Sequence, residues 1–292
     1  MTTAVAAPFR FFALQVVRTG RLGPSLVRVT FAGPDLDAFH SHGRDQSLSL
    51  FLPHPGQAEP VVPLELGDNW WQGWRELPDD VRAVMRSYTL RALRRDALGQ
   101  TAEIDIDFAL HGVGPGAATP AGPASRWASR AAAGDRVLLL GPALADNRAI
   151  RFRPPADTDL VVLCGDETAV PAATAILESL PAGSRVRAWL EVPHAGDAQD
   201  VRTRADAEIT WLVRRGATGR PGTPATTTVV DAVRAAGLTD AERPYVWLAG
   251  ESGQVKAVRR YFVAECGVDR RRVTFVGYWR RGMTEEQLRT AG

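Results

Sequence analysis

The chain has 292 residues, 45% hydrophobic and 23% charged, a length that at roughly 150 residues per domain predicts two domains, each able to bury its own core. Basic and acidic residues, 35 against 33, leave a formal net charge of +2, too small and too mixed to expect nucleic acid as a partner, so any basic site has to be local. No run of about 18 apolar residues predicts insertion into a membrane, the N-terminus lacks the charged region of a signal peptide, and Cys164 and Cys266 have neither disulfide nor zinc spacing; a cytoplasmic protein with two buried thiols is expected.

From Phe9 to about Gly141, short alternating or β-branched runs ("RFFALQVV", "SLVRVTF", "SLSLFL", "SYTLRAL", "AEIDIDFAL", "RVLLLG") are separated by Gly, Pro and Asp, which predicts an antiparallel barrel or sandwich. Within it the segment from Pro53 to Met85, with Trp70, Trp71 and Trp74, reads as a lid or as an insertion folded onto the barrel. Clustered tryptophans pack more often than they cage a ligand. After the Pro-rich "RFRPPADTD" the pattern changes to apolar strands alternating with helical stretches, from "LVVLCG" to "RVTFVGYW", the mark of βαβ units around a parallel sheet. A boundary near Pro154 or Pro155 gives domains 1–154 and 155–292.

A β-barrel followed by a parallel α/β domain resembles the ferredoxin-reductase type of flavoprotein. "RSYTLR" begins Arg86, Ser87, Tyr88, Thr89, and Arg-x-Tyr-Thr is similar to the flavin-binding strand of that superfamily, which implies arginine on the cofactor's phosphates, tyrosine on the isoalloxazine ring and a small hydroxyl at its N5 and O4 edge. The residue types suit these roles, since a planar cationic fork matches phosphate, an aromatic face matches a ring, and a hydroxyl can follow a proton. "HG" (His111, Gly112) closes a later strand, and "GPASRWA" (Gly122, Pro123, Ala124, Ser125, through Trp127) opens a helix whose free amides suit a pyrophosphate, or which is an ordinary Pro-initiated helix. In order, "RSYTLR", "LHG", "GPASRWA", "CGDETAVPA", "WLAGE" and "GYWRRG" resemble the siderophore-interacting protein family of FAD-dependent ferric-siderophore reductases.

In the second domain Gly165, Asp166, Glu167 and Thr168 follow the first strand, and Ala249, Gly250 and Glu251 end the fourth. The resemblance implies a pyridine-nucleotide loop here, without a G-x-G-x-x-G fingerprint, at the strand ends where such sheets take ligands. The two carboxylates either face ribose hydroxyls or cap a helix. Arg214 and Arg215 after the third strand fit a 2'-phosphate, hence NADPH over NADH, or a solvated loop. The resemblance implies that Tyr278 and Trp279 lie near the domain junction and the flavin; packing between domains is the other account. No protein nucleophile is expected, because flavin carries the redox step.

Lys256 is the only lysine in the chain. Arginine-rich coding alone explains it; the resemblance makes Lys256 and Arg259, three positions apart on one helix face, a basic pair for a ferric siderophore. The family's third member, a barrel lysine, is replaced by Ser49 in "DQSLSLFLP", which weakens the site for a highly anionic chelate unless Arg44 or another arginine reaches in, and the loop "GVGPGAATPA" is a second departure. The expected function is FAD-dependent reduction of a ferric siderophore by NADPH, NADH or a reduced ferredoxin. A flavoenzyme of the same fold with another small-molecule substrate, and a siderophore-binding module without turnover, stand beside it.

Overall fold

A computed structural model describes residues 7–113, 120–214, 228–237, 240–283 and 287. The chain divides into two compact units. The first comprises residues 1–21, 27–42 and 46–149; the second takes 150–292 together with two strips of early chain, 22–26 and 43–45.

Seven strands form the sheet of the first unit: β1 (Phe9–Arg21), β2 (Leu26–Ala32), β3 (Ser47–Leu52), β4 (Val84–Thr89), β5 (Ala92–Arg95), β6 (Thr101–Ala109) and β7 (Arg136–Pro142), in the order β4-β3-β7-β1-β2-β6-β5. The β1/β2, β1/β7, β3/β4, β3/β7 and β5/β6 pairs are antiparallel. Alternation puts Phe12, Leu14, Val29, Phe31, Leu48, Leu50, Ile104, Ile106 and Leu139 into one cluster, so the sheet curls around a single apolar core as the sequence pattern predicts. On the outer face, the segment expected to be a lid or an insertion holds a short helix, α1 (Trp70–Glu76). It packs: Trp74 is buried with Phe51, Ala83, Met85 and Leu138, and its indole Nε1 donates to the Ala83 carbonyl at 3.2 Å.

The second unit has a parallel sheet of β8 (Leu160–Gly165), β9 (Arg185–Val192), β10 (Asp206–Val213), β11 (Pro244–Glu251) and β12 (Val273–Trp279), ordered β10-β9-β8-β11-β12. Residue by residue β8 is buried, as is β11 up to Gly250, the signature of strands covered on both faces. Helix α3 (Val170–Ser179) lies in one core cluster; α4 (Val229–Ala236) and α5 (Ser252–Arg260) lie in the other. The order reverses between β8 and β11, so their carboxyl ends, Gly165 and Glu251, flank the switch point where such sheets open a crevice.

One expectation is corrected. Cys164 is buried, but Cys266 is exposed, because it follows the π-helical turn Tyr261–Glu265 that ends the α5 segment. Among the described residues no helix is long and apolar enough to cross a membrane.

Candidate functional site

In the first unit, β4 is the end strand of its sheet, and the period of two splits its motif. Arg86 and Tyr88 share one face with Val84, and Ser87 and Thr89 share the other. Tyr88 is half-buried against Phe108, ring centroids 4.4 Å apart. Arg86 Nη1 donates to the Met85 carbonyl at 2.7 Å. Ser87 is exposed while Thr89 is 7% exposed, so the two hydroxyl side chains of the motif differ in burial. Ser49 pairs across to Ser87 and therefore shares its face, opposite Arg86 and Tyr88. Arg44 belongs to the early strip grouped with the second unit.

His111 and Gly112 follow β6, and Gly112 has φ 67°, which a glycine adopts freely. The helix α2 (Pro123–Ala128) starts at Gly122, and no side chain caps it; its first amides are unclaimed by a cap. Gly122 and Pro123 are exposed, and Ala124 is buried. Ser125 is the tether: its Oγ accepts from the His111 backbone N–H at 3.1 Å and donates to the Ala109 carbonyl at 3.4 Å, fixing the start of α2 to the end of β6. Trp127 packs its ring parallel to Phe31 at 6.3 Å and near Phe108 at 5.7 Å. A cavity of about 640 Å³ lies beside this helix, lined among others by Val84, Pro123, Arg126, Trp127 and Arg130 and by the turn after β3. Residues 114–119 of the Gly/Pro-rich loop lie outside the described residues.

At the switch point of the second unit, Gly165 allows a close approach: a Cβ there would lie 2.5 Å from Ala169 Cβ and 3.0 Å from the Ala249 carbonyl. Asp166 is 1% exposed. Its Oδ1 accepts from Thr168 N at 2.9 Å and Thr168 Oγ1 at 2.5 Å; its Oδ2 accepts from Glu251 N at 2.7 Å and Trp279 Nε1 at 2.8 Å. Burial, and then the neighbouring Glu167, push its pKa up, while these bonds pull the other way. Asp166 thus staples the carboxyl ends of β8, β11 and β12, with both of its oxygens engaged within the protein. Glu167, also 1% exposed, takes the Arg214 guanidinium through both oxygens at 2.6 and 3.2 Å. Arg214 Nε donates to Glu191 Oε1 at 2.6 Å, and Gln254 Nε2 donates to the other Glu191 oxygen at 3.2 Å. Burial alone would lower the Arg214 pKa, but its bonds to Glu167 and Glu191 raise it. Two carboxylates hold this cation, whose side chain is 38% exposed. Arg215 lies outside the described residues.

Glu251 caps α5, accepting from Gln254 N at 2.8 Å, and Ser252 Oγ donates to the Trp279 carbonyl at 2.9 Å. Tyr278 packs against the α3-side core. On α5, Lys256 is exposed, and with Arg259, Arg260 and Arg270 it lines a groove of about 540 Å³ containing the ring of Phe275. Phe275 is 46% exposed, and the Arg259 guanidinium lies 4.5 Å from its centroid, a cation–π distance.

Residues 15–146 match the siderophore-interacting FAD-binding domain, and residues 158–282 match the siderophore-interacting protein domain. The chain is 31% identical over 274 residues to a ferric vibriobactin reductase of Vibrio cholerae, covering 94% of this chain and 90% of that one. The chain belongs to the siderophore-interacting protein family. An NADPH-dependent ferric-chelate reductase of Escherichia coli is 30% identical, covering 92% and 93% of the two chains. The siderophore-interacting protein SipS from Aeromonas hydrophila superposes with a TM-score of 0.71 at 33% identity over 97% and 96%.

In this member of the siderophore-interacting protein family the expected residues therefore fall into three groups. Arg86, Tyr88, His111, Gly112 and the start of α2 belong to the first unit; the Gly165–Thr168 loop gathers at the switch point with Ala249–Glu251 and Trp279; Lys256 and Arg259 share a groove. Sequence reasoning missed Glu191 and Gln254, which complete the Arg214 network, and the turn lining the cavity of the first unit. The Pro55-Gly56 pair is the one signal for that turn.

Proposed function

We propose that this chain is an FAD-dependent reductase of a ferric siderophore, taking electrons from NADPH or NADH. The observation that carries the substrate side is the α5 groove: Lys256 and Arg259 share it with Arg260 and Arg270 over an exposed aromatic ring. Four cations suit an anionic chelate, and the apolar ring suits its organic frame. The residues of the first unit fit FAD: an arginine and a tyrosine on one face of an edge strand, a short helix with no side-chain cap, and a cavity with guanidinium groups beside it. Bound flavin would supply the conversion between a two-electron hydride donor and a one-electron metal acceptor. The protein's own part is positional: Tyr88 offers a ring face braced by Phe108, and Ser125 holds α2 at the end of β6. At the switch point Asp166 and Glu167 turn inward, so a nucleotide there would meet the carboxyl ends of β8 and β11 without an exposed carboxylate of this loop. Fe(III) is substrate; anionic oxygen ligands hold it far better than Fe(II), so one electron loosens the chelate.

Anaerobic addition of NADPH or NADH should bleach the flavin of the purified yellow protein, and a ferric chelate with an Fe(II) trap should restore its colour. Bleaching with no Fe(II) from any chelate would move the chain to another substrate, a reading that the neutral Ser49 favours. Lys256→Ala should weaken ferric-chelate binding about fivefold, the size expected of one exposed charge, with FAD content unchanged; equal affinities would show that the chelate binds elsewhere.

A further inference from the structure

We infer that the second unit selects NADH over NADPH, with Glu191 near the end of β9 as the residue that reads the adenosine ribose and Arg214 neutralised beside it. This selection rests on the nicotinamide-donor reading above, and Glu191 lies outside every motif of the sequence. In parallel sheets that bind dinucleotides, the pyrophosphate sits at the turn after the first strand. Further along the chain an acidic side chain takes the ribose 2'-hydroxyl of NAD, whereas a nearby arginine accommodates the 2'-phosphate of NADP. This chain carries both residue types at that end of the sheet, and their bonding decides between them.

Strands β8 and β9 are neighbours, and Gly165, at the tight turn, pairs with Leu190. Glu191 is the next residue outward on β9 and so stands beside that turn. Leu190 and Val192 lie in the α3-side core; Glu191, between them, turns to the other face, where Gln254 Nε2 of α5 donates to its Oε2 at 3.2 Å. From β10, Leu212 pairs with Glu191, and Arg214 N continues the ladder to the Val192 carbonyl at 2.8 Å. The guanidinium is thereby set between two acids: its Nε lies 2.6 Å from Glu191 Oε1, and its Nη1 and Nη2 lie 3.2 and 2.6 Å from the Glu167 oxygens. Every nitrogen of the Arg214 guanidinium is bonded to a carboxylate, and two carboxylates against one cation leave the cluster negative. Glu251, at the end of β11, adds a further carboxylate, which accepts from the amides of Gln254 at 2.8 Å and Arg281 at 3.4 Å. The cluster meets solvent on the Arg214 side, where the arginine side chain is 38% exposed and that of Glu191 12%. A 2'-phosphate dianion brought there meets net repulsion. A 2'-hydroxyl instead finds an acceptor, since a carboxylate offers about four lone-pair positions and the bonds from Arg214 and Gln254 occupy two of those on Glu191.

Calorimetric titration of the purified flavoprotein with ADP-ribose and with 2'-phospho-ADP-ribose tests this apart from turnover. ADP-ribose should bind at least about tenfold more tightly, the size expected of one hydrogen bond to a charged group. In anaerobic mixing, NADH should bleach the flavin with a second-order rate constant at least about tenfold above that of NADPH. Glu191→Gln keeps the shape of the side chain and removes its charge, and it should shrink both ratios about fivefold or more; the wild-type ratios test the selection even if that variant does not fold. Equal or tighter binding of the phosphorylated fragment, or ratios that Glu191→Gln leaves unchanged in a folded protein, overturn the assignment and leave the nicotinamide reading standing. A flavin that neither nucleotide bleaches, in a protein that binds neither fragment, overturns the assignment together with the reading it rests on.

Discussion

Asp166 and Glu167 stand side by side in the sequence, and nothing in their spacing tells a ribose ligand from a staple. In the fold both turn inward, one to the amide of Glu251 and the indole of Trp279, the other to Arg214. Lys256 and Arg259 were legible because helical spacing alone puts them on one face. The engagement of Arg214 by Glu167 and Glu191 was not, since its partners lie 47 and 23 residues away. Asp166→Ala would leave the Glu251 N–H and the Trp279 Nε1–H without their acceptor, and we expect a loss of about 3 kcal/mol of stability in urea unfolding. An unchanged midpoint would mean that the staple is replaced by water. Gly250, at φ 129°, lies against the same carboxylate; a Cβ would come within 2.6 Å of Asp166 Oδ2, so Gly250→Ala should be destabilising as well.

Among the elements, strands were legible from alternation and helices from their period, while α1 was not: a Trp-rich segment with Gly73 has no strong helical pattern, and burial of Trp74 against β3, β4 and β7 supplies what propensity lacks. The outer face of β1, β5 and β6 carries an ion ladder that alternation only hints at. Arg18 and Arg94 both bind Glu103, at 2.7 and 2.6 Å, and Arg94 also binds Asp105. The hydrogen bond from Arg18, then that from Arg94, hold the Glu103 carboxyl at about 2, below its ordinary 4.5. A depressed carboxylate pKa adds stability above the ordinary value and loses it as pH falls through the folded one. Melting temperature should therefore drop between about pH 4.5 and pH 2, and Glu103→Gln should flatten that part of the curve. A variant with the same acid limb as wild type would show that the ladder contributes nothing there.

At the scale of the whole chain, a change of sequence grammar after the Pro-rich stretch leads to the expectation of two domains, but grammar cannot register the early strips that are grouped with the second unit. Asp45 is 4% exposed; its Oδ1 accepts from Arg151 N and Phe152 N at 3.0 Å, and its Oδ2 from the buried indole of Trp247 at 3.0 Å. Ser25 N donates to the buried Asp197 carboxylate at 2.7 Å. Asp45→Ala strands three donors, so hydrogen exchange should quicken in β8 and β11 and stay unchanged in β1 and β7. Uniform quickening would show that the strip serves both units alike.

These strips set an order of events during synthesis. Asp45 leaves the ribosome 202 residues ahead of the tryptophan it will hold, and Ser25 leaves 172 ahead of its aspartate. The first sheet must close while keeping two of its loops unspent, and the second half completes its own core only by returning to them. Halves recombined between relatives at the Pro-rich junction would inherit loops matched to the wrong partner; a working chimera has to carry residues 22–26 and 43–45 along with the C-terminal half.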